Sequence, residues 1–176
     1  MRRTEESLRA LKSIRPTLPT LTFETSLTLH GKARSVQILN FGKAHSAGDV
    51  VVYLPKEKVV ITGDMLQGWV PYIGDSYPYE WIRALDRAAK LDFDYVIGGH
   101  GDVLRGKATF ELWKQYIADV MAETTEAYVQ GATMKEAETR VAAILTPKYA
   151  GKFPDSFPRD VIGNIDYAYR VVSGPQ

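Results

Sequence analysis

Cysteine is absent from the 176 residues, which removes disulfides, thiolate nucleophiles and thiolate metal sites together. His, Asp and Glu remain as the candidate metal donors. Histidine is scarce, with 3 in all, so a site built on imidazole has only His30, His45 and His100 to draw on. An excess of one charge is lacking too. The 22 Lys plus Arg stand against 21 Asp plus Glu, for a formal net charge of +1, and no field of that size attracts nucleic acid or an anionic membrane. Nor is there a long apolar run: stretches such as residues 50–54 fall far below the roughly 20 residues that cross a bilayer. The charged, helix-prone residues 1–15 lack the basic start and apolar middle of a signal peptide. With no export signal visible, a cytoplasmic location is the default expectation.

What is present is an ordinary globular composition, 45% hydrophobic and 24% charged, which sets disorder aside. The length suits one domain spanning residues 1–176, with a core over about residues 20–105 and C-terminal helices over about 106–172. Leu8, Leu11 and Ile14 are spaced for one face of a short helix over residues 5–14, ended by Pro16. Loose alternation over residues 21–30, then Gly31-Lys32, then residues 35–41 predicts a β-hairpin. Residues 50–54 and 58–62 are rich in valine and joined by Pro55-Lys56-Glu57, which predicts two antiparallel strands. Pro78 suits the first turn of a helix over residues 79–90, and residues 94–98 make a short strand. Helical periodicity returns over residues 109–129 and 159–172, and Thr133-x-x-Glu136 is a capping box opening a helix to about Leu145. Residues 148–152 read as a solvated stretch.

Three short stretches share a design. Gly42-Lys43-Ala44-His45-Ser46-Ala47-Gly48-Asp49 follows a strand, Ile61-Thr62-Gly63-Asp64 closes another, and Ile97-Gly98-Gly99-His100-Gly101 closes a third. Each sets a metal-ligand residue type on a loop at a strand end, and a cation such as Zn²⁺ accepts both imidazole nitrogen and carboxylate oxygen. Taken singly, each residue has a plainer reading. His45 could be a loop histidine bonded to nearby backbone, and Asp64 in a Gly-Asp pair is common turn or cap chemistry. His100 between glycines is less easily explained as a core residue. Asp49 and Ser46 read as local backbone acceptors, and His30 as a surface strand residue.

In this order, the three motifs and their intervening elements over roughly residues 22–103 resemble the second half of the metallo-β-lactamase superfamily. The resemblance implies an α/β fold: a mixed, mainly antiparallel sheet flanked by helices, half of a four-layer αββα sandwich, with C-terminal helices added. It also implies a hydrolase in which a pair of Zn²⁺ ions activates water against an ester, thioester, lactone, amide or phosphodiester. By the same resemblance His45 ligates one metal, Asp64 bridges both and His100 ligates the second, although a His/Asp set does not distinguish Zn²⁺ from Fe or Mn. Trp69, Tyr72 and Tyr79 follow Asp64 and are candidates to line the pocket of a small-molecule substrate, though aromatic residues in such loops more often pack on the sheet.

The departure is as informative as the match. The family's other signature, His-x-His-x-Asp-His, has no counterpart here, so each metal keeps about two protein ligands where a catalytic zinc usually has three. In the implied sandwich the sheet also lacks the partner that covers one of its faces, and an exposed apolar face marks an interface. Two expectations follow. The chain is one half of a hydrolase, active with a complementing N-terminal half, or it is a non-catalytic homodimer with weak or empty metal sites.

Overall fold

The computed structural model describes residues 2–174. The elements run α1 (Arg2–Ser13), β1 (Ser26–His30), β2 (Ser35–Leu39), β3 (Val51–Leu54), β4 (Val59–Gly63), α2 (Pro78–Ala88), β5 (Tyr95–Gly98), β6 (Leu104–Arg105), α3 (Ala108–Val129), α4 (Met134–Tyr149) and α5 (Phe157–Ser173). The strands form one six-stranded sheet in chain order, β1 to β6. Only the β4–β5 pairing is parallel, because α2 crosses over between those two strands and the other neighbours are joined by turns. The α/β, mainly antiparallel fold expected from the sequence is therefore present.

Strand periodicity divides the sheet into two unlike faces. Val51, Tyr53, Val60, Thr62 and Val96 point to one side and are buried. The cross-strand row Leu27, Ile38, Val52, Ile61 and Ile97 lies on the other. On that side Ile97 is 40% exposed and Leu29 49%, values no covered sheet face shows. The buried side shares one contiguous apolar core with the helices. Within the helical layer α3 is central, touched by α2, α4 and α5. Its Phe110, Trp113, Tyr116, Ile117, Val120 and Ala127 are all buried, which explains why it lacks a clean polar face. Leu8 and Leu11 of α1, by contrast, remain exposed.

Several boundaries differ from the sequence expectation for identifiable reasons. The first strand begins at Ser26 rather than at residue 21, although the Thr25 carbonyl still accepts from Asn40 N at 2.8 Å. The edge strand β6 was not anticipated, being two residues long and too short for any period. The helix opened by the Thr133 capping box, which forms as expected, continues past Pro147 to Tyr149. The stretch read as solvated is thus partly core: Tyr149 is 2% exposed, packs edge-on against Tyr116 at 5.1 Å and donates to Asp119 at 2.8 Å. The last helix starts at Phe157, two residues early, with Pro158 in its first turn. Among the described residues no helix is long and apolar enough to cross a membrane.

The segment after Asp64 is irregular yet buried, and its backbone is satisfied by the C-terminal helices. Ser156 Oγ accepts from Val70 N at 3.0 Å. Asn164 Oδ1 accepts from Ile73 N at 3.0 Å, while its Nδ2 donates to the Pro71 carbonyl at 2.7 Å and to the Tyr116 hydroxyl at 2.9 Å. Asn164 is fully buried, and every polar atom it carries is used. Asn164→Leu leaves one donor and one acceptor of the loop, together with the Tyr116 hydroxyl, buried and short of a partner. At about 1–3 kcal/mol for each unsatisfied group, a loss of at least about 3 kcal/mol is expected in a urea unfolding titration.

Asp119 ties α3 to α4 and gives a pH signature. Burial pushes its carboxyl up, but hydrogen bonds from Tyr149, Gln115 and Lys148 outweigh that and hold it below the usual carboxylate range. A depressed folded value means the unfolded chain takes up the proton first. The stabilisation is therefore complete above the ordinary carboxylate value and is lost as pH falls through the lowered one. Melting curves of Asp119→Asn against the parent should differ at neutral pH and converge in acid.

Candidate active site

The three ligand-type residues sit on one rim of the sheet because each follows a strand end. His45 lies in the β2–β3 loop, which is fixed at both sides: Gly42 N donates to Asn40 Oδ1 at 2.8 Å, and Tyr77 N, just before α2, donates to the Ala44 carbonyl at 2.9 Å. Asp49 closes the loop by accepting from Ser46 N at 2.8 Å and Ser46 Oγ at 2.7 Å. Asp64 directly follows β4, and His100 follows β5 after one glycine, Gly99. Parallel pairing of β4 with β5 places those two ends side by side.

The side chains converge. Asp64 turns one carboxylate oxygen toward each ring, with Oδ1 3.4 Å from His100 Nε2 and Oδ2 4.0 Å from His45 Nε2. Two donors bound to one zinc at about 2.0–2.2 Å in tetrahedral geometry lie roughly 3.3 Å apart, so both spacings leave room for a cation between carboxylate and imidazole. Exposure rises outward, from 28% for the His45 side chain through 39% for Asp64 to 54% for His100. The arrangement is thus a rim open to solvent on one side.

Backbone sterics hold the carboxylate there. A Cβ on Gly99 would lie 2.1 Å from Asp64 Oδ1 and 2.9 Å from the Gly63 carbonyl carbon, so only glycine allows the two strand ends to touch. Gly101 takes φ +87° where it passes Gly68, and Gly68 N donates to the His100 carbonyl at 3.2 Å. Aromatic rings fix the imidazoles. Trp81 meets His45 edge-on at 5.5 Å and donates its indole N–H to the Met65 carbonyl at 3.0 Å. Trp69 stacks on His100 at 5.2 Å and 25°.

Of the three aromatic residues suggested as pocket lining, only Trp69 touches this group. Tyr72 faces Gly74, Gly163 and Tyr167 instead, because Asn164 draws its loop toward α5. Tyr79 lies beside Ile82 and Met121 between α2 and α3, since Pro78, Trp81 and Leu85 occupy the buried side of its helix. His30 is exposed at the end of β1, with Nδ1 3.3 Å from Ser35 Oγ. Sequence pattern alone ties neither Trp81 nor Asn164 to this group. A signal existed for the latter, an amide on the apolar stripe of Val161, Ile165 and Ala168.

A profile of the metallo-beta-lactamase superfamily matches residues 5–100, more than half of the chain. The chain belongs to the metallo-beta-lactamase superfamily. It is 26% identical over 165 residues to a linear primary-alkylsulfatase of a Pseudomonas species, a match covering 88% of this chain and 30% of that protein. It is 28% identical over 87 residues to a type 2 metallo-beta-lactamase of Elizabethkingia meningoseptica, covering 46% of this chain and 35% of that one. The chain thus spans about a third of the length of these curated relatives. Among solved structures, a stereoselective inverting sec-alkylsulfatase of a Pseudomonas species superposes with TM-score 0.68 at 15% identity, covering 89% of this chain and 27% of its own. That last likeness is one of fold.

Metal dependence, typically on zinc, is general in this superfamily. Donor type and spacing here suit such an ion, but donor number does not. Among the described residues no group of three or more His, Cys, Asp or Glu could by itself hold a metal ion. His45 Nδ1 is buried without a hydrogen-bond partner, so the second contact that normally fixes a ligating imidazole is missing as well. Gly99→Ala tests the steric account. The added methyl must displace Asp64 or part the strand ends, an overpacking cost of about 1–3 kcal/mol seen as a lowered Tm, whereas Gly48→Ala, with open space at its Cβ, leaves the Tm unchanged.

Proposed function

We propose that this chain provides one wall of a metal-dependent hydrolase site, in which His45, Asp64 and His100 are metal ligands and a second set of ligands comes from outside residues 1–176. The observation carrying this reading is the Asp64 carboxylate lying between two imidazoles, one oxygen toward each. With further donors supplied, the Asp64 carboxylate would offer one oxygen to a cation beside each imidazole, His45 on one side and His100 on the other, and zinc held there would supply an activated water at neutral pH. Trp81 and Trp69 keep both rings from turning away.

Two apolar surfaces left uncovered among the described residues support a second polypeptide segment. One is the sheet face bearing Ile61 and Ile97, and the other is the exposed side of α1. A second sheet carrying His-x-His-x-Asp-His would cover the first surface and raise the donor count above two for each ion. The substrates of this reading are esters, thioesters, lactones or amides. Alkyl sulfate esters take first place among the esters, because the relative named as an alkylsulfatase is matched over 88% of this chain, C-terminal helices included.

The test joins this chain to a His-x-His-x-Asp-His half from a related enzyme and measures zinc content together with hydrolysis of a medium-chain alkyl sulfate and a nitrophenyl ester. Zinc uptake and turnover are expected, and Asp64→Ala should reduce turnover at least about 100-fold, since even outer partners of metal ligands cost 10–100-fold. No uptake and no turnover from a folded fusion defeats the proposal.

The shortage of donors in the isolated chain favours a second reading, a non-catalytic homodimer whose partner copy covers the same sheet face. It predicts a dimer by sedimentation whose Tm ignores both zinc and chelator, because a ligand of the native state must raise its stability.

A further inference from the structure

Beside the ligand rim lies a recess of about 310 Å³ between Gly68–Trp69 and the turn that leads into α5, where Lys152, Phe153, Pro154 and Arg159 form its opposite wall. The recess and the rim share a residue. Trp69 lines the one and stacks on His100 of the other, and Gly68 is bonded to the His100 carbonyl.

Both walls are built in advance of any ligand. The loop carrying Trp69 is held at Val70 by Ser156 and at Pro71 and Ile73 by Asn164. On the opposite wall Phe153 is 5% exposed and packs edge-on against Tyr116 at 6.0 Å. A preformed cavity saves the ordering cost of binding. Its charges decide what it takes. Arg159 is neutralised by Asp160, to which its Nε and Nη2 each donate at 2.7 Å. Lys152 places its ammonium over the Tyr149 ring at 5.3 Å, and Asp155 also lines the recess, so the two remaining charges cancel. This is no cradle for an anion. Trp69, Phe153 and Pro154 supply the apolar share of the lining, the larger share beside Lys152, Asp155, Ser156 and Arg159, and at roughly 30 Å³ for each water-sized group the space holds on the order of ten non-hydrogen atoms.

We infer that the recess is the subsite for the apolar part of the substrate, an unbranched alkyl or aliphatic acyl chain of up to roughly ten carbons whose polar end emerges at His100. The placement of that polar end rests on the hydrolase reading; occupancy of the recess by a chain does not, and it is measurable in the metal-free protein.

The experiment titrates the isolated, metal-free chain with ethyl, butyl, hexyl and octyl sulfate below their micellar concentrations, and with 1-octanol. Amide resonances of Gly68 and Trp69 and the indole N–H of Trp69 are followed by NMR. Affinity should rise about fourfold for each added methylene until the recess is full. Octanol should bind comparably to octyl sulfate, and Trp69→Ala should weaken binding about tenfold with the Tm of the variant checked alongside. Tyr79→Ala, altering the recess between α2 and α3, should leave affinity unchanged. Affinity independent of chain length, competition by inorganic sulfate, or resonance shifts confined to Tyr79 and Met121 each overturns the subsite. If the fused enzyme proves inactive while the isolated chain still binds in this way, the hydrolase reading falls and the recess stands.

Discussion

A single indole joins the parts of this structure that matter for chemistry. Trp81 is fully buried, gives its N–H to the carbonyl immediately after Asp64, presses its ring edge against His45 and rests on Trp113 of the long central helix. Two loops that are far apart in sequence are thereby referred to one rigid object. The loop of His45 leaves β2, and the Asp64 turn leaves β4; nothing in strand pairing alone fixes the 4.0 Å between the His45 ring and the Asp64 carboxylate. A side chain anchored in the core does, because interiors are close-packed and rings there have no room to rotate. The third loop is fixed differently. Parallel pairing and a glycine contact put His100 beside Asp64, and Trp69 limits its ring from the solvent side.

The shortage of metal donors among the described residues and the uncovered sheet face share one proposed cause. A sheet whose strands alternate apolar residues on both sides is suited to burial on both, and here only one side is covered. The rim that carries the imidazoles lies at the end of that same sheet, so whatever lies across the face also lies across from the rim. Coverage and coordination are therefore expected to arrive together, from one body.

How much was legible in the sequence followed from how local each determinant is. The valine-rich runs at residues 50–54 and 58–62, the Pro78 start of α2 and the Thr133–Glu136 box are determined by neighbours a few positions away, and they formed to within a residue of where they were expected. The convergence of His45, Asp64 and His100 could be anticipated only through resemblance, since nothing short-range brings three strand ends together. Elements decided by tertiary contact were missed. The helix expected to end at about Leu145 carries on through Pro147 because Tyr149 is held by Asp119 and Tyr116. Tyr72 and Tyr79 look equivalent to Trp69 in sequence, and only the pull of Asn164 on one loop and the buried side of α2 separate them from the rim. A two-residue edge strand such as β6 has no pattern to be read.

The grip of Asn164 and Ser156 on the 70–73 loop has a consequence for how such a protein can diversify. These anchors lie 86 to 93 residues downstream of the positions they hold, within a helical appendage that contributes none of the three rim residues. Drift in the appendage can therefore reshape the approach to the rim while the three residues at the strand ends are inherited unchanged.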